Sequence, residues 1–316
     1  MKKKKIALLS TSILGALSIG ALGFVGNYFY NLALNPDTPK DAIFGTPEEA
    51  KSTSGQVVDS DINWLFNQSK FSHEYINSFD NLKLHSYKIL NEVPNSKWVI
   101  SVHGYTSEGS NMSSYAKRFY DSGYNVLIPD LRGHGSSEGN YIGMGWDDRL
   151  DIISWINLIL EDDPNAEIIL HGVSMGAATV SMTSGENLPS NVKAIIADCG
   201  YTSVWEQFSY QLNLLFSLPD FPVMNASSVV TKVKAGYTLK EASALKQVAK
   251  SKTPILFIHG DKDDFVPYSM MDELYNATSS EKEKLTVEGA GHAKASEVNP
   301  ELYWSTIEKF INRYVN

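Results

Sequence analysis

The sequence predicts an α/β fold, a mostly parallel central sheet flanked by helices, and three observations carry that prediction. Short apolar runs recur at 98–102, 125–128, 168–170, 192–197, 254–258 and 284–287. Stretches compatible with helix lie between them, the alternation that builds βαβ units. Each run ends in a polar cluster, most of them bearing glycine, and in such sheets ligands bind at the carboxyl ends of the strands.

The elements follow in order. Residues 71–89 read as a hairpin, two alternating runs around 73–78 and 83–88 flanking the turn pair Asp80-Asn81. His73 and His85 are strand side chains in this reading. The run 98–102 is broken only by Ser101, as suits a buried parallel strand, and it ends in His103-Gly104-Tyr105-Thr106. A helix over about 112–121 stops at Gly123, and the strand 125–128 leads to the glycine loop 130–137. That loop is not G-x-G-x-x-G, since Gly139 falls one place too late, so dinucleotide binding is not expected. An amphipathic helix over 146–160 opens with Asp147 and Asp148, which suit its positive end. The last strand ends at Gly289-Ala290-Gly291-His292, and a helix over 300–314 closes the chain. Residues 204–249 break the alternation with Trp205, Phe208, Leu214, Leu215 and Phe216. The stretch is too long and too apolar for a surface connection. It reads as a small helical cap, with a packed helical hairpin as the plainer alternative.

Composition bounds the rest. The net charge of −9, from 27 basic and 36 acidic side chains, argues against nucleic acid as a partner. A single cysteine, Cys199, allows no intrachain disulfide and no cysteine metal cluster. Lys2–Lys5 precede a span, 6–30, without a charged residue. That span exceeds the roughly 7–15 apolar residues of a signal-peptide core and matches the ~20 that cross a bilayer. The lysines then stay inside and the remainder lies outside. The expected organisation is an anchor over 1–30, a polar stalk or linker over 31–67 with a short helix near 47–51, and a domain over 68–316 with its cap at about 204–249. Cleavage of a signal peptide near Gly20, Gly23 or Gly26 is the alternative, and either way the domain is exported. A chain starting near Asp37 is expected to be soluble and fully active.

The centre of the sequence is 168–178, IILHGVSMGAA, an apolar run, a glycine-flanked serine and a run of small residues. The pattern G-x-S-x-G is a nucleophile elbow. A tight strand-to-helix turn projects the Ser174 hydroxyl, and the helix start at Met175 offers unpaired N–H donors. A serine in an ordinary glycine-rich turn is the competing reading of this pentapeptide taken alone.

With HGYTSEG at 103–109, DLRGHGSS at 130–137, GVSMG at 172–176, HGDKDDFVP at 259–267 and GAGH at 289–292, the chain resembles the α/β-hydrolase family of lipases, esterases and serine aminopeptidases. More narrowly it resembles a membrane-anchored bacterial branch. The likeness spans about 71–315. It implies the α/β-hydrolase fold and a triad in chain order Ser, Asp, His. Ser174 is then the nucleophile. His292 is the base, being the histidine beyond the last strand, on a Gly-Ala-Gly approach. Zinc is disfavoured by the lack of H-E-x-x-H. The family pattern Gly-x-x-Asp-x-x-Val-Pro falls on Gly260, Asp263, Val266 and Pro267, which makes Asp263 the acid, with Asp198 as its rival and Asp261 and Asp264 as loop carboxylates. The oxyanion hole would use the N–H groups of Met175 and Tyr105. Asp130 and Arg132 would brace loops.

The resulting expectation is an exported, membrane-tethered serine hydrolase that needs no cofactor and no metal. It would cleave a small-molecule or lipid-like carboxylic ester of modest size, with Trp205, Phe208 and Phe216 of the cap contacting the acyl or aryl group. A peptidase of the serine aminopeptidase type is the first alternative, with Glu206 and Asp220 as the cap carboxylates it would use. A surface scaffold without activity is the second.

Overall fold

The structure is a computed structural model and describes residues 20–44 and 59–315. Its strands are β1 (Phe71–Asn77), β2 (Lys83–Ile89), β3 (Lys97–Val102), β4 (Asn125–Pro129), β5 (Glu167–Val173), β6 (Val192–Asp198), β7 (Ile255–Gly260) and β8 (Lys282–Val287). They form one sheet in the order β1-β2-β4-β3-β5-β6-β7-β8. The hairpin is as the alternation predicts, with Asn77 opposite Lys83. β2 runs antiparallel to both neighbours, and every pairing from β4 to β8 is parallel.

The longer helices are α1 (residues 20–34), α2 (Ser113–Asp121), α3 (Asp148–Asp162), α4 (Met175–Thr183), α5 (Val204–Phe216), α6 (Asp220–Ala235), α7 (Ser269–Ala277) and α8 (Pro300–Ile311). Alternate residues of one strand point to opposite faces. Ile100 and Val102 of β3 accordingly join a core with α3, α4 and α7, while Val99 joins a second core with α2 and α8. Burial on both faces is why these strands read as continuous apolar runs rather than alternating ones. α5 and α6 pack on the first face as the cap. Ser203 starts α5 by accepting a hydrogen bond from the Glu206 N–H, an N-cap.

From β3 the chain passes to β4 on one side, and β5 then pairs with β3 on the other. The connections after β3 and β5 therefore diverge, and they open a crevice at the carboxyl ends of these two central strands. The loop 103–107 and Ser174 both lie there.

The start of the chain departs from expectation. Residues 20–34 are helical, and their later turns are packed on the domain, with Tyr30, Leu32 and Leu34 buried. A Cβ on Gly26 would come within 2.6 Å of the Ala226 carbonyl carbon, so α1 crosses α6 with the two backbones in contact. The Tyr105 hydroxyl donates to the Ala33 carbonyl at 2.6 Å, and the Ile142 N–H donates to the Leu34 carbonyl at 2.7 Å. Lys40 Nζ closes the end of α1 by donating to the carbonyls of Leu32 and Asn35. At the far end of the expected stalk Trp64 and Leu65 are buried, and the Trp64 ring meets Tyr120 edge-on at 5.5 Å. The described parts of 31–67 are thus seated on the domain rather than forming a free linker. The physical reason is that an uncharged, glycine-bearing helix packs as readily on an apolar cap as in lipid. No helix among the described residues is long and apolar enough to cross a membrane. Most of the expected anchor, 1–19, and the short helix near 47–51 lie outside the described residues.

Candidate active site

The elbow is built by steric exclusion. Ser174 sits between β5 and α4 at φ 57° and ψ −115°, outside the ordinary regions for a side-chain-bearing residue. Its N–H donates to the Asp198 carbonyl at 2.8 Å, which ties the turn to the end of β6. A Cβ on Gly172 would lie 2.3 Å from the Gly176 carbonyl carbon, and one on Gly176 would lie 2.1 Å from the Val102 carbonyl oxygen. Only glycine lets the strand, the turn and β3 approach so closely.

Three side chains from distant positions meet at this turn. Ser174 Oγ lies 2.8 Å from His292 Nε2. His292 Nδ1 lies 2.7 Å from Asp263 Oδ2. The carboxylate can only accept, so Nδ1 carries the proton and Nε2 faces the serine as an acceptor. Asp263 is itself held on all sides. Its Oδ1 accepts the N–H groups of Phe265 at 3.0 Å and Val266 at 2.8 Å. His259 Nε2 lies 3.1 Å from Oδ2 and 3.0 Å from the Val266 carbonyl, two acceptors, so that nitrogen is protonated. Burial alone would raise the Asp263 carboxyl, but the hydrogen bonds from His259 and His292 outweigh it and hold the group well below the usual carboxylate range. The charge stays beside the imidazole.

Sequence reasoning missed His259. The motif HGDKD places it four residues before the acid, but the fold of the loop, not a helical spacing, is what brings the two together. Asp198 is not at the imidazole. Its Oδ2 accepts from the Tyr303 hydroxyl at 3.0 Å, and burial raises its carboxyl to about 6. Asp261 accepts the Gly289 N–H at 2.6 Å, a loop contact. Asp130 accepts from Gly109 and Ser136 N–H groups and pairs with His85, while the buried Arg132 pairs with Asp80 and Asp151. Both brace the loops around the crevice.

Met175 is the first residue of α4, so its N–H has no acceptor within the helix. The loop after β3 runs against Ser174: a Cβ on Gly104 would lie 3.4 Å from Ser174 Cβ. Tyr105 follows in that loop.

Above the serine is a pocket of roughly 770 Å³, part of it open to solvent. Ser174, Met175 and Tyr105 form its floor, and Phe208, Leu212 and Phe216 of α5 form one wall. Phe29, Leu32 and Ala33 of α1 line it too, a wall that was not expected from the sequence. Trp205 does not line it. It lies in the first turn of α5, where Lys240 Nζ stands 4.1 Å from its ring centroid. Gln207 Nε2 donates to the Phe265 carbonyl at 2.8 Å, which leaves the buried Oε1 as an acceptor without a partner at the pocket wall.

Cys199, Asp263 and His292 bring ligand atoms within 4.8 Å of one another. Ligands around one zinc ion stand about 3.4 Å apart, from bonds of about 2.0–2.3 Å. The 2.7 Å contact between His292 and Asp263 is a hydrogen bond instead and leaves no space for an ion between them.

A sheet of this order carrying a strained serine at the carboxyl end of β5 defines an α/β-hydrolase. The family model of the serine aminopeptidases, S33, matches residues 94–224. An uncharacterised protein of Bacillus subtilis, YqkD, is 32% identical over 222 residues, which cover 70% of this chain and 72% of that one. The chain belongs to this serine aminopeptidase S33 family of α/β-hydrolases. Among solved structures, the Pyrococcus furiosus esterase Pf2001 matches with TM-score 0.65 at 24% identity, covering 83% of this chain and 98% of that one. The acylaminoacyl peptidase of Pyrococcus horikoshii matches with TM-score 0.60 at 19% identity, covering 80% of this chain and 43% of that one. At these identities the two structures share the fold.

Proposed function

We propose that this protein is an exported, membrane-tethered serine hydrolase that cleaves carboxylic esters. The observation that carries the reading is the continuous relay from Ser174 through His292 to Asp263 at the floor of an apolar pocket. Ser174 Oγ attacks the acyl carbon while His292 Nε2 takes its proton. The N–H groups of Met175 and Tyr105 hold the oxyanion. The alcohol leaves with the proton from His292, giving an acyl-enzyme. Water then attacks, again with His292 as base, and releases the acid and free Ser174. Asp263 stabilises the imidazolium in both halves without taking up a proton.

The pocket favours an ester over a peptide. Its described lining contains no Asp or Glu to hold the ammonium of a peptide N-terminus, and Gln207 Oε1 is a neutral acceptor. Of the cap carboxylates an aminopeptidase would use, Asp220 accepts from the Ser209 hydroxyl instead. The family description keeps aminopeptidase activity as the second reading. A fluorophosphonate probe should label the parent protein and not Ser174→Ala, and an ester panel should be hydrolysed well ahead of aminoacyl amides. Labelling that persists in the variant, or faster turnover of the amides, overturns the reading.

A further inference from the structure

The first described helix is half buried and half bare. From residue 25 onward α1 packs on the body, and Phe29, Leu32 and Ala33 reach the pocket. Residues 20–24 before that point are all exposed, Leu22 and Phe24 included, and a Cβ on Gly20 or Gly23 would meet no described atom beyond its own helix within 4 Å. The bare turn precedes the point where Gly26 meets Ala226 of the cap. The chain that precedes it, 6–19, carries no charge, and the first charge after Lys5 is Asp37.

Exposed apolar side chains concentrate on α1 and on the two cap helices it touches. Of the fifteen large apolar side chains exposed among the described residues, three are on α1 and five lie on α5 and α6. Val233 is 82% exposed, Phe221 76% and Val229 65%, each too bare to serve the core. Leu215 both lines the pocket and reaches solvent, so apolar surface of the cap extends from the pocket to the outside. A patch of this kind marks an interaction surface.

We infer that the cap faces the bilayer that holds the chain, and that α1 forms a wall of the pocket through which a long-chain, membrane-resident ester passes from lipid to Ser174. The inference rests on the ester hydrolase reading above. The lipid surface is the occupant that the sequence outside the patch points to. An uncharged chain entering the bilayer by way of α1 brings the cap down onto it, with Phe221, Val229 and Val233 at the interface. An acyl chain that moves from lipid into an apolar pocket never exposes its methylenes to water. The bulk of α1 in the pocket also sets how much of that chain is accepted.

The test uses the full-length protein in vesicles of phosphatidylcholine and phosphatidylglycerol. The variant combines Phe221→Ser, Val229→Ser and Val233→Ser, with Phe221→Ser alone as a milder form. None of the three lines the pocket. Both forms should float with the vesicles and hydrolyse p-nitrophenyl acetate within twofold of the parent. Hydrolysis of p-nitrophenyl palmitate carried in the vesicles should fall at least tenfold in the triple variant and about threefold in the single one. Ala33→Trp should lower the ratio of kcat/KM for the decanoate over the acetate at least tenfold. Unchanged palmitate hydrolysis in the cap variants overturns the bilayer-facing mouth. So does a parent dimer that the cap variants dissolve while palmitate hydrolysis holds, since the patch then belongs to a second copy. An unaltered chain-length ratio in Ala33→Trp removes α1 from the pocket wall. A parent that takes neither acetate nor the fluorophosphonate defeats the hydrolase reading itself, a different result.

Discussion

Asp263 is the residue on which the proposed chemistry is most exposed to test. Asp263→Asn keeps the shape of the side chain but puts an amide donor where His292 Nδ1 needs an acceptor. It should lower kcat by roughly 10³–10⁴-fold with KM little changed. Asp198→Asn should leave kcat within about tenfold, because the Asp198 carboxylate meets Tyr303 and not the imidazole. The pH signature separates the two. Burial raises Asp198 to about 6, so the folded protein holds a proton that the unfolded chain releases from about pH 4 upward. That contribution is present below about pH 4 and is lost as pH rises to about 6. Relative to Asp198→Asn, the parent should therefore lose melting temperature across this window and hold a constant difference above it. A pH-independent difference would mean that Asp198 is ionised throughout. The meeting of Ser174, Asp263 and His292 was legible because family motifs single them out. His259 was not, since its bond to Asp263 depends on a loop path that no spacing rule describes.

Elements were legible wherever burial on both faces produces an unbroken apolar run, as in β3 to β7. The elbow is the most constrained of them. Gly176→Ala would press a methyl group into the Val102 carbonyl, a backbone group of β3 that cannot swing aside. It should cost about 3 kcal/mol or more, read as a shift of the urea midpoint. The packing of α1 from residue 25 onward was not legible, because lack of charge looks the same in a membrane span and in a helix laid on an apolar cap. The geometry reverses one expectation. A chain starting at Asp37 loses Leu32 and Leu34 from the core and Phe29 from the pocket, so its melting temperature should drop by at least about 5 °C, whereas a chain starting at Gly20 should match the parent. Equal melting of the two would show that α1 contributes no stability.

At the scale of the whole molecule the sequence reported class and exclusions but not arrangement. Alternation implied a parallel sheet, but the strand order that opens the crevice between β3 and β5 follows from which side each crossover takes, and no residue encodes that singly. Localisation is a proposal, drawn from Lys2–Lys5 and the uncharged span. A membrane-impermeant fluorophosphonate should label Ser174 on intact cells as fully as in lysates. Labelling that needs lysis would place the domain inside.

Tyr105 ties α1 to the loop beside Ser174. Its hydroxyl holds the Ala33 carbonyl, 72 residues earlier in the chain, while its own backbone belongs to the loop against Ser174. The ribosome makes α1 before the loop and the cap that seat it, so α1 takes its place on the domain only after the cap has been made. A nascent chain, or one whose cap has not yet formed, has no finished cavity over its serine. Until α1 docks, the cavity over Ser174 lacks the wall that Phe29, Leu32 and Ala33 supply, so completion of the pocket waits on the cap.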